Sequence, residues 1–207
     1  MHLYLVRHAD SQASENGLAQ SPDTPLSKKG KKQALLLAKR LNQETIDSIL
    51  SSNWSRGQET AEIISKQLDM KFSYRDDLYE KEQSQKLYGI AKSSDIYLNH
   101  TLELQDNLEN LDWKFMQEGE SFRDLITRCN NLKKSLETLK SDTLVVSHGI
   151  LLRSFILTCL LPENSIENVF MHLFRKTHLD NASISILEKD DSGWKLTLFN
   201  DTSHLRG

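Results

Sequence analysis

Two histidines directly follow short apolar segments near opposite ends of the sequence. His8 follows residues 3–6 and Arg7, and His148 follows the β-branched, apolar run at 143–147. Nearly continuous apolar runs of this length are typical of strands that are buried on both faces. In open α/β sheets, ligands bind beyond the carboxyl ends of the strands. We therefore predict that both imidazoles face one ligand site.

Two further charged side chains follow predicted strands in the same way. Arg56 lies just beyond residues 46–50, and Glu80 lies beyond a short predicted strand at 72–74. Where such strands lie side by side and parallel, their carboxyl ends meet in one crevice. The predicted site then holds two imidazoles, two guanidinium groups and one carboxylate.

These residue types together are suited to phosphoryl transfer. Arginine presents a planar fork of donors that matches phosphate oxygens, and a neutral imidazole is a competent nucleophile near neutral pH. The leaving alkoxide requires a proton, which a nearby carboxylic acid can give. No two histidines have the close helical spacing of a zinc site. The residue set therefore predicts transfer through a phosphohistidine, with neither a metal ion nor a cofactor.

The elements that position these residues alternate between strands and helices. Strands are predicted at residues 3–6, 46–50, 72–74, 143–147, 183–187 and 194–199, the last two as an edge hairpin. Helices are predicted after the N-cap residues Ser27 and Ser121, through 60–68 and over 150–161. This order predicts an α/β fold, a three-layer α/β/α sandwich with a mainly parallel sheet. We expect one domain over residues 1–207, with a mostly helical insertion at about 81–120 and a variable segment at 163–180.

Composition narrows the class of protein. The 207 residues carry a formal net charge of -3 with a pI of about 6.2. The chain therefore lacks the overall positive charge that would indicate nucleic-acid binding. The sequence has no apolar run long enough to cross a bilayer, and its N-terminus enters a strand at once, so we expect no membrane span and no signal peptide. Cys129 and Cys159 fall in predicted helices, and we expect them to be reduced core thiols in a cytoplasmic protein.

The order of several short motifs resembles that of a known family. Residues 5–11, LVRHADS, resemble the Arg-His-Gly signature of the histidine phosphatase superfamily, the phosphoglycerate-mutase-like proteins. Four further blocks resemble family motifs in the same order: TPLSKKGKKQA at 24–34, SSNWSRGQETA at 51–61, GESF at 119–122 and VVSHG at 145–149. The resemblance covers nearly the whole chain. Any one block is weakly specific, but five blocks in the same order are strongly specific.

The resemblance implies roles for individual residues. His8 would be the nucleophile, and Arg7, Arg56 and His148 would hold the phosphoryl oxygens. Glu80 would protonate the leaving group and then activate water. Glu80 falls in Leu78-Tyr79-Glu80, a spacing that favours it over its rival Glu82.

Two weaker substrate contacts are implied by the same resemblance. The backbone N–H of Gly149 would add a phosphate contact. Ser14 stands where many members have asparagine, and Asn16 is close by. Two other residues fall near the predicted site without a family role, Trp54 beside Arg56 and His178 in a segment that could cover the site.

Three functions remain open at this point. The leading prediction is a phosphatase that hydrolyses phosphomonoesters through a phosphohistidine on His8. The second is a phosphoglycerate mutase, which shares the residues but returns the phosphoryl group to the substrate. The third is a non-catalytic protein that binds a phosphorylated ligand. The expected partner is a small-molecule phosphomonoester, with a phosphoprotein as the alternative, and the sequence leaves the oligomeric state open.

Overall fold

A six-stranded sheet forms the centre of the computed structural model, which describes residues 1–163 and 165–206. The strands are β1 (His2–Arg7), β2 (Ser48–Ser52), β3 (Phe72–Arg75), β4 (Thr143–Ser147), β5 (Ile184–Asp190) and β6 (Gly193–Asp201). Their order across the sheet is β3-β2-β4-β1-β5-β6. The first four strands pair in parallel, and β5 and β6 add an antiparallel hairpin at one edge. The predicted strands and the edge hairpin are confirmed.

The register of β1 and β4 brings the two histidine-bearing ends together. Val6 lies opposite Val146 and Arg7 lies opposite Ser147, so both strands end at the same level. The N–H of His8 then donates to the carbonyl of Ser147 at 2.8 Å. Because this bond continues the strand pairing by one residue, the backbone of His8 is fixed although it lies beyond the strand.

Helices cover both faces of the sheet. The helices are α1 (Gln12–Glu15), α2 (Lys28–Leu41), α3 (Ser55–Leu68), α4 (Asp95–Asp106), α5 (Phe122–Leu136), α6 (Gly149–Leu160) and α7 (Ile166–Lys176). The core between the sheet and α5, α6 and α7 contains Leu3 and Leu5, whereas the core between the sheet and α2 and α3 contains Tyr4 and Val6. Successive residues of β1 therefore point into opposite cores. The predicted three-layer α/β/α sandwich is confirmed.

Two segments differ from the sequence prediction. The insertion at about 81–120 is helical over α4 and two short 3₁₀ turns only, so the prediction of a mostly helical insertion is wrong for the greater part of its length. Instead, hydrogen bonds such as Gly89 N–H to Ala19 C=O attach it to the loop after α1. The segment at 163–180 contains helix α7, whose buried residues Ile166, Phe170 and Phe174 recur every four positions. That spacing is a helical signal which the prediction overlooked.

Other expectations concern the cysteines and the membrane. Cys129 and Cys159 are buried free thiols, as predicted. Among the helices of residues 1–163 and 165–206, none combines the length and apolar character that a membrane span requires.

The loop after His8 is held against the start of α2. The side chain of Ser27 caps this helix by accepting the N–H of Gly30 at 2.9 Å, as predicted. The backbone N–H of Ser27 donates to the carbonyl of Asp10 at 3.0 Å. A Cβ atom on residue 30 would overlap that same carbonyl oxygen. Glycine is therefore required at position 30 for the helix to approach the loop this closely.

We predict that Gly30→Ala destabilises the protein by about 1–3 kcal/mol or more, because the added methyl group must displace the Asp10 backbone. Urea unfolding measures the change in the free energy of unfolding. Lys32→Ala, at an exposed position of the same helix, is the matched control and should change stability by less than about 0.5 kcal/mol. Equal stability of the two variants would contradict the close approach.

Candidate active site

The imidazole rings of His8 and His148 lie side by side beyond the ends of β1 and β4. Their ring centroids are 5.1 Å apart, and the two residues are 1% and 0% exposed. Arg56, at the start of α3, reaches the same place and is also 1% exposed. The structure therefore brings together three residues that are separated by up to 140 positions in the chain.

The hydrogen bonds of His8 determine which ring nitrogen carries its proton. Nδ1 lies 2.7 Å from the carbonyl oxygen of Ala9, and Nε2 lies 3.1 Å from Nε of Arg56. A carbonyl can only accept, so Nδ1 carries the hydrogen, and the guanidinium can only donate, so Nε2 presents its lone pair. Asn181 donates to the backbone carbonyl of His8 at 3.0 Å and fixes the residue from the other side. The ring is therefore neutral, and the lone pair on its Nε2 faces the guanidinium of Arg56.

Burial and neighbouring charge favour the neutral form of both imidazoles. Burial lowers the pKa of His8 well below its usual value of 6.5, and the charges of Arg56 and Arg7 lower it further. Burial also lowers the pKa of His148 well below 6.5, with Arg56 next in importance. Both effects penalise the charged form of the ring.

His148 has one nitrogen engaged and one without a partner. Its Nε2 lies 2.8 Å from Oγ of Ser52, and the edge of the Trp54 ring packs against it, with centroids 5.2 Å apart. Its Nδ1 is buried and makes no hydrogen bond to residues 1–163 or 165–206. The Nε atom of Arg7 is likewise buried and makes no hydrogen bond to the described residues. Buried polar atoms are rarely left unpaired, and such atoms in a cluster of cationic groups are suited to bind an anion.

The two guanidinium groups are anchored by backbone carbonyls. Arg56 donates to the carbonyl of Ser21 at 2.9 Å and lies 4.9 Å from the ring centroid of Trp54. Burial lowers the pKa of Arg56 to about 10, which leaves it charged at neutral pH. Arg7 donates to the carbonyl of Leu179. A Cβ atom on residue 149 would lie 3.1 Å from Nε of Arg7, so Gly149 allows that side chain to lie against the start of α6.

Glu80 lines a cavity together with Arg7 and Arg56, and it also caps helix α6. Its Oε2 accepts the N–H of Ile150 at 3.1 Å, and its Oε1 accepts the N–H groups of Leu151 and Lys81 at 2.9 and 3.0 Å. These bonds place the carboxylate at the positive end of the helix dipole. Glu82 is exposed and is not part of the cavity lining. Of the two candidate residues, only Glu80 therefore lies at the cavity.

The cavity lined by Arg7, Arg56 and Glu80 has a volume of about 290 Å³. The buried rings of His8 and His148 are not among its lining residues; His8 is next to it through its contact with Arg56, and His148 through its contact with Trp54. Its lining includes the predicted residues Arg7, Ser14, Arg56, Glu80 and Gly149, and also Trp54 and His178. Ser14 is tied into the wall, because its Oγ accepts a hydrogen bond from Gln20 at 2.7 Å. Asn16 is exposed and caps the end of α1 instead.

Several lining residues were missed by the sequence interpretation. Those in the cavity wall are Ala19, Gln20, Lys81, Gln83, Tyr88, Lys92, Tyr97, Ile150, Arg153 and Leu179. Arg153 had a usable signal, since it lies four residues after Gly149 and therefore on the same face of α6. The two tyrosines and Lys92 had none, because their placement depends on how the insertion folds.

No group of three or more histidine, cysteine, aspartate or glutamate side chains within residues 1–163 and 165–206 is arranged to hold a metal ion.

We predict that the protein loses stability as the pH falls below 6.5, because the unfolded chain binds protons at His8 and His148 that the folded chain excludes. The contribution is complete above pH 6.5 and declines by up to about 1.4 kcal/mol per pH unit for each histidine. Burial lowers the pKa of His100 and His204 as well, so these residues add to the same trend.

Urea unfolding at about pH 7.5, 6.5 and 5.5 measures this slope. His148→Gln should make the slope shallower, whereas His172→Gln, at an exposed position of α7, controls for substitution itself. A slope that is unchanged in the His148 variant would show that this ring is protonated in the folded state.

Comparison with known proteins assigns the family. The sequence profile of the histidine phosphatase superfamily (branch 1) matches residues 3–202. The protein named "Probable phosphoglycerate mutase GpmB" from Escherichia coli O1:K1 is 30% identical to this chain, over 99% of it and 95% of the relative. Among solved structures, a mycobacterial glucosyl-3-phosphoglycerate phosphatase in complex with VO3 has a TM-score of 0.80 and 22% identity, covering 97% of this chain and 99% of that chain.

The alpha-ribazole phosphatase of Shigella flexneri has the same TM-score of 0.80 at 22% identity, covering 97% of this chain and 96% of that chain. At this level of identity the two solved structures establish a shared fold. The profile match extends from the first residues of β1 to the residue after β6 and so includes every block of the motif series. The chain therefore belongs to the histidine phosphatase superfamily, branch 1.

Proposed function

We propose that this protein hydrolyses phosphomonoesters through a phosphohistidine intermediate on His8. The observation that carries the proposal is the neutral imidazole of His8, whose Nε2 lone pair faces the guanidinium of Arg56. A buried, neutral nucleophile next to a fixed cation is suited to attack a phosphoryl group whose oxygens the cation binds.

The first half-reaction forms the phosphoenzyme. Nε2 of His8 attacks phosphorus as the bond between phosphorus and the ester oxygen breaks. The electron pair of that bond goes to the leaving oxygen, which takes a proton from Glu80. Arg7, Arg56 and His148 donate hydrogen bonds to the phosphoryl oxygens, on which negative charge is spread in the transition state.

The second half-reaction releases inorganic phosphate. Glu80, now ionised, takes a proton from water, and the resulting hydroxide attacks phosphorus. The bond between phosphorus and Nε2 breaks, and its electron pair returns to the imidazole. The protein ends in its starting state, with Glu80 again protonated, so one carboxyl group serves as acid and then as base.

The reaction is proposed to be independent of metal ions. In many phosphoryl-transfer enzymes Mg²⁺ supplies the positive charge at the phosphoryl oxygens. Here two guanidinium groups occupy the corresponding place, and both are anchored to backbone carbonyls. Arginine can hold phosphoryl oxygens by paired hydrogen bonds as well as by charge.

The outer wall of the cavity favours a small substrate with an additional anionic group. Its volume of about 290 Å³ is at the lower end for small-molecule sites. Beyond the phosphoryl-binding residues, the lining contains Arg153 and Lys92. Arg153 is held in place by the carbonyl of Thr177 at 2.8 Å and by the ring of Phe174, 3.7 Å below its guanidinium. A phosphorylated acid fits this charge better than a phosphoprotein side chain does.

Phosphoglycerate mutase activity is the second candidate. It is favoured by the 30% identical relative whose name carries that activity. The first half-reaction would be the same, but the phosphoryl group would return from His8 to a hydroxyl of the bound substrate instead of passing to water.

We predict that His8→Ala reduces turnover of para-nitrophenyl phosphate by at least about a thousandfold, because no other group supplies the nucleophile. Brief incubation with a radiolabelled phosphomonoester, followed by denaturation in base, should trap phosphate on the wild-type protein and not on this variant. His172→Ala is the matched control and should keep wild-type turnover. Turnover above a tenth of wild type in His8→Ala would remove His8 from the mechanism.

We predict that 3-phosphoglycerate yields free phosphate, with little of its 2-phospho isomer, because the carboxylate of Glu80 can activate water beside the phosphoenzyme. A time course that measures both products separates hydrolysis from mutase activity. Addition of a chelator should leave the rate unchanged. Isomer that accumulates faster than phosphate would establish the mutase, and inhibition by the chelator would contradict metal independence.

A further inference from the structure

Arg128 on helix α5 forms a largely buried ion pair with Glu120. The two residues share a double hydrogen bond, Nε to Oε1 at 2.9 Å and Nη2 to Oε2 at 2.7 Å. Their side chains are 11% and 8% exposed. Removing two charges from water costs about as much as their attraction returns, so stability alone gives a weak reason for such a pair.

The remaining contacts of Arg128 all reach the segment that leads to Glu80. Its Nη1 donates to the carbonyls of Asp77 and Tyr79, at 3.0 and 2.8 Å. Its guanidinium also lies 3.9 Å from the ring centroid of Tyr79. One rigid guanidinium therefore holds the backbone on both sides of residue 78.

The carbonyl between those two is held from the sheet. Oγ of Ser147, the last residue of β4, donates to the carbonyl of Leu78 at 2.7 Å. Three successive backbone carbonyls before Glu80 are thus bound by side chains. Because His148 follows Ser147 directly, the same strand end fixes both the second histidine and the approach to Glu80.

The backbone of Glu120 holds the segment after Glu80. Its N–H donates to the carbonyl of Glu82 at 3.0 Å, and its carbonyl accepts a hydrogen bond from the ammonium group of Lys81. The preceding Gly119 has φ of +74°, and a Cβ atom there would lie 2.8 Å from the carbonyl oxygen of Glu82. The chain on either side of Glu80 is therefore tied to Glu120, through its side chain and Arg128 on one side and through its backbone on the other.

We infer that Arg128 and Glu120 are positioning residues that hold the Glu80 carboxyl group within reach of the leaving oxygen. The inference rests on the proposed function, in which Glu80 donates a proton to that oxygen. Proton transfer requires a heavy-atom separation of about 2.6–3.2 Å, so a shift of the 77–82 segment by a fraction of that distance interrupts it.

A neighbouring ion pair provides the matched control. Arg75 forms a double hydrogen bond with the side chain of Asp77, at 2.9 and 2.6 Å, and donates to Ser135 of α5 at 3.0 Å. It ties the same segment to the same helix, but it binds a side chain rather than the backbone before Glu80. Replacing this arginine therefore tests general loosening of the segment.

The test compares two leaving groups in Arg128→Lys. Lysine keeps the charge but, as a single ammonium, cannot hold the Glu120 carboxylate and two carbonyls at once. Para-nitrophenolate leaves without a proton, whereas an alkyl phosphate such as glycerol 3-phosphate requires one. Single-turnover experiments that follow release of the alcohol or phenol measure the rate at which His8 is phosphorylated. In Arg128→Lys we expect this rate to fall about tenfold or more with the alkyl ester and less than about threefold with the aryl ester.

Two further variants make the result specific. Glu80→Gln should show the same selective loss, and adding Arg128→Lys to it should cause no further loss in the alkyl reaction, because the effects share one route. Glu120→Gln, which keeps the shape of the side chain, should reproduce the pattern and serves as the test where Arg128→Lys is unstable. Arg75→Lys should leave the ratio of the two rates unchanged.

The contrary outcomes separate this inference from the proposed function. Equal slowing of both esters in Arg128→Lys and Glu120→Gln, or additive loss in the double variant, would overturn the positioning role while Glu80 remained the acid. A Glu80→Gln protein that does not discriminate between the esters would overturn the role of Glu80 and this inference together. Full activity of His8→Ala would instead overturn the proposed function.

Discussion

The site depends on burying two guanidinium groups and two neutral imidazoles in one small volume. Such a cluster excludes further positive charge, which is why burial and the neighbouring arginines lower the pKa of His8 and His148 so far. The carbonyls of Ser21 and Leu179 accept hydrogen bonds from the arginines and so offset part of the cost of burying their charge. Their charge remains uncompensated in part, and an anion with several oxygen acceptors is the ligand that best balances it.

Glu80 adds a negative charge that acts on Arg7 and Arg56, and it links this cluster to helix α6. It caps the first turn of that helix through the N–H groups of Ile150 and Leu151, so the carboxylate is attracted both by the arginines and by the helix dipole. In the proposed reaction this same group alternates between its neutral and ionised forms. Such a role requires a backbone that does not move as the charge changes, and the hydrogen bonds around residues 77–82 supply that rigidity.

The predicted site residues that the structure brings together are those whose position follows from local structure. His8 and His148 directly follow β1 and β4, and Arg56 lies four residues beyond β2. A parallel sheet is enough to bring such strand ends together. Glu80 was preferred to Glu82 on spacing alone, and the structure places only Glu80 at the cavity. Helix α7 was overlooked even though Ile166, Phe170 and Phe174 recur at helical spacing, so that error came from the reading of the pattern and not from its absence.

The rest of the site depends on contacts between distant segments, which periodicity does not encode. Asn181 reaches the carbonyl of His8 across 173 positions, and Arg128 reaches the carbonyl of Tyr79 across 49. Tyr79 in turn stacks on Trp54, with centroids 6.2 Å apart, and Trp54 packs against His148. A side chain on α5 is thereby connected to the histidine pair through one aromatic stack. Such supporting contacts depend on how distant segments pack against one another, so they require coordinates to be found.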